Sequence, residues 1–556
     1  MTGVTDYRPK SLDGVLLNGN PLVRLKPLVA GMWRESRRSF DVVSPVSGHS
    51  LAQVCDTDEE AAWDAVREAT LAQAAWARTT VAERSAALRR WHDHIIAHRQ
   101  WLAELVVAEV GKPIGEANAE VNYAAGYIAR FAEQACRSNG EVLPSYHADR
   151  RYRMTRHPVG VCVAITPWNF PLAMVTRKAA PAIAAGCAVI VKPSEQSPLS
   201  ALALTELAIN AGIPPGVLNV VPCSRGNGER IAKLFCESPD VRHLSCTGST
   251  PVGRILAAQC AGTLKRLSLE LGGHAPALVF DDADLDNAAT SMLAGKLRNA
   301  GQACIAVNRV YVHRAIHDGF LVRLKHGLQD IRQDAEAEWG SVGRPLINTS
   351  AVQRFNLQVQ DAISLGGSVV AGGVSDDPWR VRPTIICNAT SDMLCMRNET
   401  FGPLLPITTF ESDVDALESA NSTEYGLAAY GFTQNLARST WLSEELKFGM
   451  VGINQYRSVK AVRSARVARA GGGPTQEAMR GKTRLEGAEP QLCEQYWGIN
   501  TCALSAAEAP FGGIGQSGYG REGGQHGLDE YLDQRTLCVA YDEPFPRRRH
   551  AQTAWV

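Results

Sequence analysis

Apolar residues recur three and four positions apart through Glu59–Ala77 and Val81–His98, inside an Ala/Leu/Arg-rich region covering residues 58–136. That spacing lays one apolar stripe along each segment and predicts amphipathic helices. After it the texture changes. Short Val/Ile/Ala runs at Val161–Thr166, Ala188–Lys192, Val217–Val221 and Ala277–Phe280 alternate with helical stretches such as Ala173–Ala185 and Pro198–Ala211. The alternation predicts βαβ units, a parallel sheet and an α/β fold. Open parallel sheets bind ligands at the carboxyl ends of their strands, so chemistry is expected in the loops that follow these runs. A second alternating stretch, from about Asp282 to Asn454, predicts a second α/β domain with a cleft between the two.

Residues 455–500 do not fit either pattern. They are rich in Arg, Gly and Ala, including SARVARAGGG at Ser464–Gly473, and carry no sustained apolar period. Such composition predicts a loop or disorder. Gly452-Ile453-Asn454 recurs as Gly498-Ile499-Asn500, 46 residues later, as the two ends of an insertion would.

At 556 residues the chain exceeds one core and is expected to form two or three domains. Lys plus Arg and Asp plus Glu both number 57, and the pI is about 7.2, so no global basic field exists for nucleic acid or an anionic membrane. Met1–Lys10 lacks the features of a secretory signal, and no run approaches the roughly 18 apolar residues of a spanning helix. A soluble cytoplasmic protein is expected. The 14 cysteines include no C-x2-C pair, which predicts thiols and neither a zinc site nor a disulfide scaffold.

Five segments offer chemistry, each with a plainer alternative. Cys304 lies in NAGQACIAVN (Asn299–Asn308), where small residues let a substrate come close; most cysteines are small core residues. Glu270 stands beside two glycines in LELGGHAP, an apolar run where an unpaired carboxylate is costly, or it caps or pairs locally. Asn169 in ITPWNFPL ends a strand run and either points into a cleft or forms a turn. VKPSE (Val191–Glu195) offers a lysine and a carboxylate suited to ribose hydroxyls, or is a surface turn. GSTPVG (Gly248–Gly253) could open a helix towards a pyrophosphate, although it lacks the G-x-G-x-x-G spacing.

In order and spacing these segments resemble the aldehyde dehydrogenase superfamily from about Ala30 to Leu537, with further matches at GKP (Gly111–Pro113), GIPPGVLNVV (Gly212–Val221), ETFGP (Glu399–Pro403) and PFGGIGQSGYGRE (Pro510–Glu522). The resemblance implies a Rossmann-type dinucleotide-binding domain over 1–142 and 160–271 and an α/β catalytic domain over 272–454 and 501–532. It also implies a small β oligomerisation arm over 143–159 and 533–545, with 455–500 as an atypical insertion. It implies that Cys304 is the nucleophile, Asn169 the oxyanion donor, Glu270 the general base and Lys178 a support of that network. For the cofactor it implies Lys192 and Glu195 at the adenosine ribose, Gly248 and Ser249 at the pyrophosphate, Glu399 and Phe401 at the nicotinamide ribose and ring, and Thr166, Pro167, Trp168 and Ser194 as further contacts. No metal is implied. Glu195 favours NAD over NADP, because a carboxylate accepts from ribose hydroxyls but repels a 2′-phosphate; NADP stays open, since Lys192 offsets part of that repulsion.

MVTRK (Met174–Lys178), VPCSR (Val221–Arg225), KLRNAGQAC (Lys296–Cys304) and DMLCMRNETFGP (Asp392–Pro403) are similar to one branch, the succinate-semialdehyde dehydrogenases. That similarity implies a distal substrate carboxylate held by Arg177, Arg298 and Ser505, and guanidinium groups do offer paired donors to a carboxylate. Glutarate semialdehyde or another ω-carboxy aldehyde stays open, since one methylene is worth only about 1 to 3 kcal/mol. Some members of the branch carry a second cysteine two residues after the nucleophile; here that position is Ala306. The arm implies a homodimer or homotetramer. The insertion sits immediately before Ser505, so a catalytically impaired NAD-binding subunit is the rival expectation.

Overall fold

The computed structural model describes residues 20–339, 343–454 and 504–541. The loop expected over 455–500 lies outside them. Helices Glu59–Trp76 and Val81–Ala97 form where the apolar stripes predict, and each start is capped. Asp58 accepts from the Ala61 amide at 2.9 Å, and Thr80 and Glu83 make a reciprocal box in which each side chain takes the other's amide. Such caps contribute about 1 kcal/mol each. Two more helices, Arg99–Val110 and Ile114–Ala135, complete the layer.

Ala173–Ala185 is buried on every side. Its alanines let neighbouring helices approach closely, so it lacks the polar face of a surface helix.

The first large sheet has eight strands, in the order Met32–Trp33, Leu28–Val29, Leu218–Val220, Ala188–Lys192, Val161–Ile165, Val241–Thr247, Arg266–Glu270 and Gly518–Tyr519. The five central strands are parallel. Both faces are covered: Cys162, Ala164, Val189 and Val191 enter one apolar cluster, and Val161, Val163, Ala188 and Ile190 enter another. Burial on both faces explains why these runs are continuously apolar and not alternating.

The second sheet has seven strands, ordered Ser368–Ala371, Thr384–Cys387, Leu404–Phe410, Val307–His313, Ala275–Val279, Ala428–Phe432 and Met450–Ile453. All but the first run parallel. A third, smaller sheet joins Leu532–Ala540 to Arg150–Pro158 in antiparallel register from Leu532↔Pro158 to Ala540↔Arg150, with Glu141–Leu143 on its other edge.

Candidate active site

In the first sheet the strand order reverses between Val161–Ile165 and Val241–Thr247, because connections run outwards from the former in one direction and the latter starts the return. Loops leaving such a switch point diverge and open a crevice. A cavity of about 350 Å³ is lined there by residues from both loops and from the segments just before Val307–His313 and Leu404–Phe410 of the second sheet. Of the residues singled out from sequence, Pro167, Trp168, Asn169, Arg177, Gly248, Ser249, Arg298, Cys304, Glu399, Phe401 and Ser505 line it. Thr166, Lys178, Lys192, Ser194, Glu195 and Glu270 are not on its wall. Thr166 and Lys192 sit side by side at the strand ends, the Thr166 amide donating to the Lys192 carbonyl at 3.0 Å. Ser194 Oγ reaches Glu195 at 3.5 Å.

Cys304 is half-buried on a turn under local strain. Asn299 and Ala300 both adopt the left-handed region, at φ 50° and 54°, which costs a non-glycine residue of order 1–3 kcal/mol. The surroundings over-determine that turn. The Asn299 amide donates to Glu116 at 2.7 Å, its side chain donates to the Asn169 carbonyl at 3.1 Å, and the Ile347 amide donates to Gln302 Oε1 at 2.9 Å. Gly273 is required for close approach, since a Cβ there would collide with the Cys304 carbonyl oxygen. Asn169 Nδ2 donates to the Gln302 carbonyl at 3.0 Å. Burial pushes the Cys304 thiol up to about 12, with Arg177 pulling the other way. The resting group is therefore a thiol that needs a base.

Glu270 ends the strand Arg266–Glu270 level with Thr247. Both its oxygens are buried and lack a hydrogen-bond partner. Burial first, and the neighbouring Glu522 second, hold its carboxyl well above the usual range. Glu522 goes the other way: burial opposes its ionisation, but Arg177 and Lys178 overcome that and hold it low. It forms ion pairs with both, while Lys178 also donates to Ser245 Oγ at 2.9 Å. The pair thus separates into a proton-holding carboxyl and a fixed carboxylate, the division that acid–base work requires. Glu522 was visible in sequence only as the last residue of PFGGIGQSGYGRE, with no role attached.

The two arginines reach the cavity by different routes. Arg177, 1% exposed, places its guanidinium 4.4 Å from the Phe511 ring centre. Arg298 stacks on Phe170 at 4.5 Å. Neither is a surface helix residue. Ser505 Oγ is hydrogen-bonded to Tyr123, another lining residue that sequence analysis missed together with Phe170, Phe511 and Arg354.

The nucleotide side has matching features. Gly248 and Ser249, on the cavity wall, precede the helix Thr250–Cys260, and an anion at a helix start gains from the helix dipole. Thr247 Oγ1 and Thr400 Oγ1, both on the cavity wall, are buried without partners. Glu399 accepts from the Gly273 amide at 3.2 Å and is pushed up to about 7 by burial, against the pull of that amide and of Lys296. Phe401 meets Trp168 edge-on, ring centres 5.5 Å apart.

The model of the aldehyde dehydrogenase family matches residues 33–472 and 488–537. The chain belongs to the aldehyde dehydrogenase family. The break in the match falls within the segment 455–500. The mitochondrial succinate-semialdehyde dehydrogenase of Homo sapiens is 40% identical over 93% of this chain and 89% of its own length. The solved structure of the succinate-semialdehyde dehydrogenase of Burkholderia pseudomallei superposes with a TM-score of 0.82 at 39% identity, covering 94% of this chain and 99% of that one. An NADP-dependent enzyme of E. coli gives a TM-score of 0.82 at 38% identity, covering 94% and 100%. Aldehyde dehydrogenases use a nicotinamide dinucleotide, and the helix terminus, the orphan hydroxyls and the buried carboxylate described above fit one.

Proposed function

We propose that this aldehyde dehydrogenase oxidises succinate semialdehyde to succinate. The observation that carries the reading is the placement of Arg177, Arg298 and Ser505 on the wall of the cavity that holds Cys304. A carboxylate in a partly buried site needs a charge partner, and two guanidinium groups with a hydroxyl supply paired donors at one end while the aldehyde end meets the thiol. An apolar aldehyde would gain nothing from them.

Cys304 Sγ gives up its proton, with Glu270 the base within electrostatic reach, and attacks the carbonyl carbon. Asn169 Nδ2 and the Cys304 amide donate to the developing oxyanion. Lys192 and Glu195 would hold the adenosine ribose, beside Thr166–Trp168 and Ser194; Gly248 and Ser249 would hold the pyrophosphate, and Glu399 and Phe401 the nicotinamide riboside. The bound dinucleotide supplies the hydride acceptor. Loss of hydride leaves a thioester on Cys304; Glu270, having passed the thiol proton to solvent, takes a proton from the water that attacks the thioester, and the acid leaves with Cys304 restored as a thiolate. Glu195 favours NAD over NADP. The Leu532–Ala540 sheet, exposed along that strand from Asp533 to Cys538, is the surface through which two or four copies would pair. Cytoplasmic residence is part of the same reading.

Purified protein assayed with C3 to C6 ω-carboxy aldehydes and with butanal, using both dinucleotides, tests the substrate. Succinate semialdehyde with NAD is expected to give the highest kcat/KM; a maximum at glutarate semialdehyde shifts the substrate by one methylene, and a maximum at butanal sinks the reading. Dinucleotide binding without turnover, restored by deleting residues 455–500, would instead mark an impaired subunit. Arg298→Ala is expected to lower kcat/KM for succinate semialdehyde tenfold to a hundredfold relative to butanal, the loss of about 1.5 to 3 kcal/mol for a charged hydrogen bond. With Ala306 where some members of the branch have cysteine, mild oxidation is expected to form no disulfide at Cys304. Peptide mapping by mass spectrometry after treatment with diamide checks this, and a reducible Cys304 cross-link that tracks lost activity refutes it.

A further inference from the structure

Tyr123 lies outside every motif that carries chemistry, yet its phenol stands on the cavity wall with Ser505, Arg177 and Arg298. Its hydroxyl is hydrogen-bonded to Ser505 Oγ on one side and to the Tyr127 hydroxyl, at 2.8 Å, on the other. Tyr127 is fully buried, with the Arg177 guanidinium carbon 6.0 Å from its ring centre.

Each hydroxyl has one proton to donate, and either oxygen of each pair can be the donor. When Ser505 donates into the cavity it must accept from Tyr123, and Tyr123, its own proton committed, must accept from Tyr127. The chain then runs from the buried Tyr127 to the cavity with every proton placed. Burial, and next the Tyr123 phenol, hold the Tyr127 hydroxyl well above its ordinary value, as suits a donor.

We propose that Tyr123 is a specificity-determining positioning residue, which orients Ser505 as a donor to the distal carboxylate of the aldehyde. The inference rests on the carboxy-aldehyde reading above. Hydroxyls linked in one chain polarise one another, so the last of them meets an anion with its proton already aimed. A site built to donate at that point disfavours an aldehyde with nothing there to accept.

The test compares kcat/KM for succinate semialdehyde and butanal in the wild type, Tyr123→Phe, Ser505→Ala and the double variant. Tyr123→Phe removes one oxygen and keeps the ring that packs edge-on against Tyr127, with centres 5.0 Å apart. The ratio of the two values is expected to fall about tenfold in Tyr123→Phe, the worth of one hydrogen bond to a charged group. In the double variant it is expected to fall no further than in Ser505→Ala, because Tyr123 acts through Ser505. Equal losses on both aldehydes in Tyr123→Phe, or single effects that multiply in the double variant, overturn the proposal. A wild-type ratio near one overturns the carboxy-aldehyde reading and this inference together. A high wild-type ratio that collapses in Arg298→Ala but survives Tyr123→Phe overturns this inference alone.

Discussion

Replacing Cys304 with alanine is expected to abolish aldehyde oxidation while dinucleotide binding persists. The loss of a covalent nucleophile costs on the order of 10⁶-fold in kcat where the remaining groups act with it as a unit. Here the unit is tight, since the thiol is pushed up to about 12 by burial and cannot ionise appreciably near neutral pH without a neighbouring base. The residues proposed to hold the adenosine ribose and the pyrophosphate lie on other loops, at the end of Ala188–Lys192 and before Thr250–Cys260, so titration with the reduced cofactor, followed by fluorescence, should give the wild-type affinity. Retained turnover in the alanine variant would remove Cys304 from the chemistry.

Glu270→Gln is the second large effect. Loss of a general base typically costs about 10²- to 10⁴-fold, and the pH profile gives the sign. Burial, then Glu522, hold the Glu270 carboxyl well above the usual carboxylate range, so the basic form accumulates only as pH rises. Wild-type kcat is therefore expected to climb with pH on a limb that Glu270→Gln lacks. Stability moves in the opposite sense. The folded state holds this proton more tightly than the unfolded chain, so the contribution is complete below the ordinary carboxylate range and is lost as pH rises through the folded value. The amide variant should show less of that loss in its Tm. A profile that keeps its rising limb in Glu270→Gln assigns the base elsewhere, with Glu522 ruled unsuitable by its pairing to two cations.

Much of the framework was readable before any coordinates. The strand Ala188–Lys192 and the helix Ala173–Ala185 have the bounds that their composition predicts, because short β-branched runs and long alanine-rich stretches differ in period and in length. Asn169 was placed at a strand end for the same reason, and Gly248 and Ser249 in a turn that could open a helix. The motifs, taken as a set, pointed to Cys304 through resemblance, since nothing in local composition separates it from the other thiols.

Other features were illegible for a physical reason. Ala173–Ala185 is buried all round, so no apolar stripe tells which way Arg177 or Lys178 faces. The partner that both cations share, Glu522, is more than 340 residues away and arrives only when the chain after Pro510 closes over the end of Arg266–Glu270. The left-handed pair Asn299 and Ala300 is equally silent in sequence, because neither residue type demands that conformation. Tyr123 lies in a helix with no motif around it, and only the fold brings its hydroxyl against Ser505 on the cavity wall.

Residue order carries which segments become strands and helices, where strand-end loops would gather, and which family chemistry the motifs resemble. These are properties of local period, propensity and spacing. The tertiary structure alone decided the charge states and the pairings. Ionisation at Glu270, Glu522 and Cys304 depends on how much water is excluded and on which opposite charge stands within a few ångströms, and both are set by contacts between residues far apart in the chain.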